Sequence, residues 1–146
     1  MRLRLTAAQV ASLAQLAEAA YPREACALMV GREHGDGMIE VAEIVAGDNV
    51  ATSPEREFEF DPAIHIALLR RLRESHAMER LIGHWHSHPN GRAEPSAQDA
   101  AMANDPALVW LISAVADGKA GAPRAFECNP DGGFTPLPLE ITEQDS

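Results

Sequence analysis

Cysteine is scarce: only Cys26 and Cys128 occur in 146 residues, and neither belongs to a C-x-x-C pair. Both read as small buried hydrophobes in a reducing compartment. No apolar run reaches the roughly 18 residues needed to cross a bilayer. The opening Met1-Arg2-Leu3-Arg4-Leu5 is basic, but Gln9, Gln15 and Glu18 interrupt the helical stretch beyond it, so it is no signal peptide. A cytoplasmic protein is expected. Positive charge is also short: 12 Lys and Arg stand against 22 Asp and Glu, a formal net charge of -10. That balance opposes nucleic-acid binding, which demands a basic patch. The cluster Arg70, Arg71, Arg73 and Arg80 reads as the solvated face of a helix. Internal repeats and low-complexity linkers are missing too.

What is present suits one folded domain. Hydrophobic residues make up 46% and charged residues 23%, close to the soluble average. The length fits a single core, assigned here to residues 1–140. The stretch Glu140 to Ser146 is acidic and unpatterned, and residues 141–146 are expected to form a flexible tail.

The chain alternates helices and strands. Thr6 and Gln9 form a capping-box pattern ahead of Val10, Leu13, Ala14 and Ala17, and Tyr21-Pro22 ends that helix. Ala25 to Val30 and Met38 to Ala46 read as a hairpin around a polar turn. Phe58 and Phe60 alternate about Glu59 as a short strand would. Asp61-Pro62 starts a helix with Ile64, Leu68, Leu69 and Leu72 on one face, running to about His76. A strand over Leu81 to His86, a loop over Pro89 to Pro95 and a short helix over Ser96 to Ala103 come next. Ala107 to Val115 is a buried strand, and Arg124 to Cys128 and Phe134 to Leu139 are two more. The fold class is α/β (α+β), a mixed central sheet flanked by helices.

Chemistry concentrates in Gly83-His84-Trp85-His86-Ser87-His88-Pro89 and Pro95-Ser96-Ala97-Gln98-Asp99. Three of six histidines lie within five residues at a strand end. Residues two apart on a strand share a face, so His86 and His88, or His84 and His86, can aim at one point. Asp99, on the first turn of the next helix, can add a carboxylate. Two nitrogens and one oxygen leave a fourth tetrahedral position for water, the pattern of catalytic zinc, whereas structural zinc is usually closed by cysteine. Glu24 stands just before a buried strand, where a carboxylate has no packing reason to be, and is a candidate general base. Ser96 with Asp99 also matches a capping box. His34, His65 and His76 read as surface residues.

The joint pattern H-S-H-x7-S-x-x-D over His86 to Asp99, with Glu24 in Pro22-Arg23-Glu24-Ala25-Cys26-Ala27-Leu28-Met29-Val30-Gly31, resembles the JAMM (MPN-type) metallopeptidases. The resemblance is strongest to stand-alone bacterial and archaeal members and covers roughly residues 5 to 140. It implies a cytidine-deaminase-like sheet architecture and Zn²⁺ held by His86, His88 and Asp99. It implies further that Glu24 moves the proton and that Ser96 donates to the oxyanion or positions the water. Ser87 would shape the loop, and Trp85 would be core or pocket wall. His84, where such proteins often carry an aromatic or aliphatic residue, would be a partner of the site or a buried, hydrogen-bonded histidine.

The implied reaction is hydrolysis of a peptide or isopeptide bond at the C-terminal tail of a ubiquitin-like or sulfur-carrier protein. A non-catalytic scaffold of the same superfamily is the alternative, and the presence of all five residues argues against it. A DNA-repair branch would need an added nucleic-acid-binding domain. Neither H-E-x-x-H nor the H-x-E with P-C-x-x-C pattern of nucleoside deaminases occurs.

Overall fold

The computed structural model describes residues 1–102 and 105–143. Strands β1 (Arg2–Thr6), β2 (Cys26–Glu33), β3 (Met38–Gly47), β4 (Arg80–His88), β5 (Val109–Ala116), β7 (Arg124–Cys128), β8 (Phe134–Leu137) and β9 (Leu139–Thr142) form one sheet in the order β8-β7-β5-β4-β2-β3-β1-β9. A short β6 (Lys119–Ala120) pairs with β5 off this path. The sheet is mixed: β4–β5, β1–β3 and β1–β9 run parallel, while β2–β3, β2–β4, β5–β7 and β7–β8 run antiparallel. Helices α1 (Ala7–Ala20), α2 (Pro62–Ser75) and α3 (Ala97–Met102) complete the fold. Among the described residues no helix is long and apolar enough to cross a membrane.

Helix α1 begins as its sequence dictates. Gln9 donates its backbone N–H to the Thr6 hydroxyl at 3.0 Å, and the Thr6 N–H returns to the Gln9 side chain at 2.9 Å. Its Leu13 and Ala17 pack into the main core with Met29, Ile82, Trp85, Leu111 and Val115. Helix α2 starts at Asp61, whose carboxylate accepts from the Ala63 N–H at 2.9 Å, with Pro62 in the first turn. It lies on the opposite sheet face, where Leu68 and Leu72 meet Leu28, Val30 and Leu81. Leu69, expected on the packed face, is 45% exposed instead. Arg70, Arg71 and Arg73 lie exposed on α2 as expected, whereas Arg80, also exposed, opens strand β4 and is not part of that helix face.

Three segments differ from the sequence reading. Arg2–Thr6 is an edge-region strand with fully buried Leu3 and Leu5, not merely a basic start. It pairs with β9, which takes Glu140 to Thr142 out of the segment expected to fray. Glu140 receives hydrogen bonds from Arg2 at 3.2 Å and Arg4 at 3.1 Å, solvent-screened pairs that fix register more than stability. Residues 144–146 of the expected tail, and Ala103 of the expected third helix, lie outside the described residues. The expected strand at Phe58 to Phe60 is a single bridge between Asn49 and Phe60. There the Asn49 side chain takes the backbone groups that a neighbouring strand would use, accepting from the Glu59 N–H and donating to the Glu57 carbonyl.

The strand that carries the histidines is held tightly against its neighbour. A methyl group at Gly83 would collide with the Val109 carbonyl oxygen of β5. Gly83→Ala is therefore expected to destabilise the fold by about 1–3 kcal/mol, the usual cost of overpacking. Urea unfolding measures this, and an unchanged midpoint would show that β4 and β5 separate freely.

Candidate metal centre

The side chains of β4 alternate across the sheet. Trp85 and Ser87 point into the main core, where the Trp85 indole donates to the Ser113 hydroxyl at 2.9 Å. His84, His86 and His88 therefore share the other face. His86 is fully buried and His88 is 2% exposed. Asp99 is also buried, on the first turn of α3. Its Oδ1 lies 3.2 Å from His86 Nε2, and its Oδ2 lies 3.0 Å from His88 Nε2. The two Nε2 atoms are 3.0 Å apart.

These separations fit a small cation. A tetrahedral ion with bonds of 2.0–2.1 Å keeps its ligand atoms about 3.3 Å apart. Hydrogen bonding sharpens the case. His88 Nδ1 is 2.9 Å from the Arg92 carbonyl oxygen, which can only accept, so Nδ1 carries the proton. In the neutral ring the Nε2 lone pair then faces the Asp99 carboxylate. His86 Nδ1 is buried with no hydrogen-bond partner. Lone pairs converging this closely repel unless a proton or a cation lies among them.

The charges respond accordingly. Burial raises the Asp99 carboxyl, but hydrogen bonds with His86 and His88 outweigh it and hold the group well below the ordinary carboxylate range. Burial lowers the His88 imidazole, yet contact with Asp99 brings it above its usual value overall. Burial keeps His86 lowered in spite of Asp99. His84 is pushed down to about 3 by burial, with the neighbouring His86 adding to the shift.

Glu24 completes the cluster. Ligand atoms of Glu24, His86 and His88 all lie within 4.8 Å of one another. Its position is set by backbone: the Ala25 N–H donates to the Ser87 hydroxyl at 2.8 Å, and the Ser87 N–H donates to the Ala25 carbonyl at 3.0 Å. The Glu24 N–H reaches the Pro54 carbonyl at 2.7 Å, and the Asn49 side-chain amide donates to the Glu24 carbonyl at 2.9 Å. Glu24 is 4% exposed, and its Oε1 has no hydrogen-bond partner. Burial pushes the carboxyl up to about 7, with the His88 charge opposing and Asp99 and Glu57 reinforcing.

That shift has a consequence in metal-free protein. Between the ordinary value of 4.5 and about 7, the folded state holds a proton that the unfolded state has released. Stability must then fall as pH rises through this window, by roughly 2–3 kcal/mol. Chelator-treated wild type is expected to show the loss in urea titrations from pH 4.5 to 7.5, and Glu24→Gln is expected to lack that component. Parallel curves for the two proteins would contradict the raised carboxyl.

The sequence-derived residues Glu24, His86, His88 and Asp99 thus come together. Ser96 stands at the helix start, where its hydroxyl accepts from the Asp99 N–H at 3.0 Å and its own N–H donates to Asp99 Oδ2 at 2.8 Å. This is the capping-box geometry, and it orients Asp99. Three contributors were not assigned to the site from the sequence. The Arg92 carbonyl fixes the His88 ring. The Asn49 side chain ties the Glu24 loop together. The Phe58 ring stacks on His86 with centroids 4.4 Å apart and helps keep that side of the cluster dry. His84 is half-buried against Trp110, and its Nδ1, buried within the fold, lacks the hydrogen bond expected of it. Cys26 and Cys128 are buried free thiols.

Residues 6–129 match the family described as prokaryotic homologs of the JAB domain. The chain is similar to a desampylase of Haloferax volcanii, with 31% identity over 114 residues, covering 69% of this chain and 70% of the other. Among solved structures, a Desulfitobacterium hafniense protein shares 30% identity at a TM-score of 0.82, covering 97% of this chain and 94% of the other. A JAB1/MPN domain protein of Archaeoglobus fulgidus shares the fold at a TM-score of 0.56 and 15% identity, covering 96% and 99% of the two chains.

Proposed function

The chain belongs to the prokaryotic JAB-domain homologs, and we propose that it is a zinc-dependent hydrolase of peptide or isopeptide bonds. The substrate we assign is the C-terminal tail of a ubiquitin-like or sulfur-carrier protein, with the amino acid or protein attached there as leaving group. Its likeness to a desampylase supports that substrate class. The observation that carries the reading is the convergence of His86 Nε2, His88 Nε2 and the Asp99 carboxylate within 3.0–3.2 Å.

His86, His88 and Asp99 would hold the metal. Glu24, although close enough to ligate, is the weaker candidate because its raised carboxyl retains its proton to about pH 7. Bound there, the metal would supply Lewis acidity, polarising a carbonyl and lowering the pKa of water to about 7. Glu24 as carboxylate takes the proton from the attacking water. It then delivers that proton to the amide nitrogen as the C–N bond breaks, leaving a carboxylate and a free amine. The Ser96 hydroxyl proton is the donor for the oxyanion, a contact whose loss typically costs about 10²–10³ in rate. Buried Phe58, Trp110 and Ile112 exclude water from one side of the cluster and strengthen its electrostatics. Free buried thiols suit a reducing compartment, and we place the enzyme in the cytoplasm.

The test uses a prokaryotic ubiquitin-like carrier joined through its C-terminal glycine to a lysine side chain or a single amino acid. Zinc-loaded protein is expected to release the carrier, chelation to stop the reaction, and added zinc to restore it. Release that survives chelation would remove the metal from the account. Zinc-loaded protein that cleaves none of these conjugates would overturn the substrate assignment.

A further inference from the structure

Strand β3 is only half covered. On one side β2 pairs with it as far as Gly47. On the other, β1 pairs with Met38, Ile39 and Glu40 alone, because the chain leaves the sheet at Thr6 to enter α1. Among the described residues no strand covers residues 42–47 on that second side. The carbonyl of Val41, just past β1, is taken by the Gln9 side-chain amide at 3.1 Å. Beyond it a groove of about 690 Å³ runs between the edge and α1. Ala8, Ser12, Leu16 and Ala19 line its helix side, and Ala42 and Ala46 its strand side. Leu16 and Ala19 also line a second cavity of about 360 Å³, which reaches Gly47, Cys26 and Glu24. The open edge thus leads to the candidate general base.

An open strand edge presents unpaired N–H and C=O groups, and natural sheets blunt it with proline, lysine or short length. The two ends of this sheet follow that rule. Strand β8 carries Pro136, and β9 has four residues directly after Pro138. Residues 42–47 contain neither proline nor lysine, and the small side chains flanking them leave the backbone within reach. Six residues of edge extend about 20 Å. What satisfies such an edge is another extended chain, held by main-chain bonds and read through its alternate side chains.

The identity of that chain follows from where the groove leads. Gly47 lies opposite Cys26, and Cys26 opposite His86. A strand added outside β3 therefore stands three strand spacings, about 14 Å, from β4, a span of about four extended residues. A tail with its C-terminal glycine at the metal reaches the edge with the residues a few places upstream. We propose that the carrier tail adds to β3 as a strand, in the line that β1 leaves at Thr6, and pairs along residues 42–47. Strand β3 runs toward Gly47, the end beside Glu24, so the tail runs parallel to it. Ile44 packs toward the main core and Val45 toward α2, so every second residue of the tail lies against α1, where a small or medium apolar side chain fits. That the added strand is the substrate's tail rests on the proposed hydrolase function, whereas pairing at the edge does not.

The probe is a synthetic tail of alternating valine and serine ending in Gly-Gly, beside a control peptide whose alternate backbone nitrogens are methylated. Each is titrated into chelator-treated, isotope-labelled protein while amide hydrogen exchange is followed by NMR. We expect the unmodified peptide to slow exchange within residues 42–47 about tenfold or more, and the methylated one to leave it as it was. Ser12→Trp combined with Ala19→Trp fills the groove from the exposed side of α1 and should remove the protection. No protection by the unmodified peptide, equal protection by both, or protection that survives in the double variant would overturn the proposal. So would protection of the same amides in peptide-free protein as its concentration rises, which would make a second copy the occupant. With a fluorescent amine on the terminal glycine and zinc bound, the long tail should show a KM about tenfold below that of a bare Gly-Gly conjugate, an advantage the double variant should lose. Equal KM values in wild type would refute the assignment of the added strand to the substrate. Protection by the peptide in protein that hydrolyses neither conjugate would uphold the edge pairing while the hydrolase reading failed.

Discussion

Glu24→Gln is expected to bind zinc as the wild type does and to hydrolyse substrate about 10²–10⁴ times more slowly, the range for loss of a general base. Glutamine preserves the shape of the side chain and cannot take up a proton. The backbone around position 24 is fixed by the Ser87 hydroxyl, the Asn49 amide and the Pro54 carbonyl, none of which the substitution touches. Burial has already lifted the carboxyl to about 7, so wild type is poised to exchange a proton near neutral pH. Single-turnover rates with zinc content measured on the same samples separate the outcomes. A variant that retains both zinc and nearly full rate would exclude Glu24 as the base. A variant that loses zinc would make Glu24 a ligand, which its distance from His86 and His88 allows.

Asp99→Asn is expected to cost more, about 10³-fold or beyond, because zinc binding itself is lost. Asparagine keeps an oxygen for the Ser96 N–H, so the start of α3 remains capped. What disappears is the negative charge between the His86 and His88 rings. Metal content and rate should therefore collapse together while the far-UV spectrum stays that of wild type. Full occupancy and near-normal turnover in the variant would show that Asp99 serves only as a helix cap.

Much of the centre could be read from the chain because its spacing is geometric. His86 and His88 fall on one strand face, and Ser96 and Asp99 fall on one helical turn, so local rules suffice. Glu24 lies far from His86 along the chain, and only the resemblance joined them in sequence. In the fold they meet through the pairing of Ser87 with Ala25, 62 residues apart. The edge of the sheet was hidden for a related reason. Leu3 and Leu5 alternate with arginines, a strand pattern of 5 residues whose two partners, β3 and β9, both lie well along the chain, β9 at its other end. Glu140 reads as an acidic tail until Arg2 and Arg4 are set beside it. Phe58 and Phe60 have the right alternation for a strand, but Asn49 supplies side-chain hydrogen bonds in place of a ladder. Propensity cannot anticipate that substitution.

The most direct test is calorimetric titration of zinc into chelator-stripped wild-type protein, with His88→Ala alongside. About one zinc per wild-type chain is expected, and none bound tightly by the variant, since His88 Nε2 is one of three converging ligand atoms. Wild-type protein that takes up no zinc, or a His88→Ala variant that binds it just as tightly, would contradict the metal centre and with it the proposed hydrolysis.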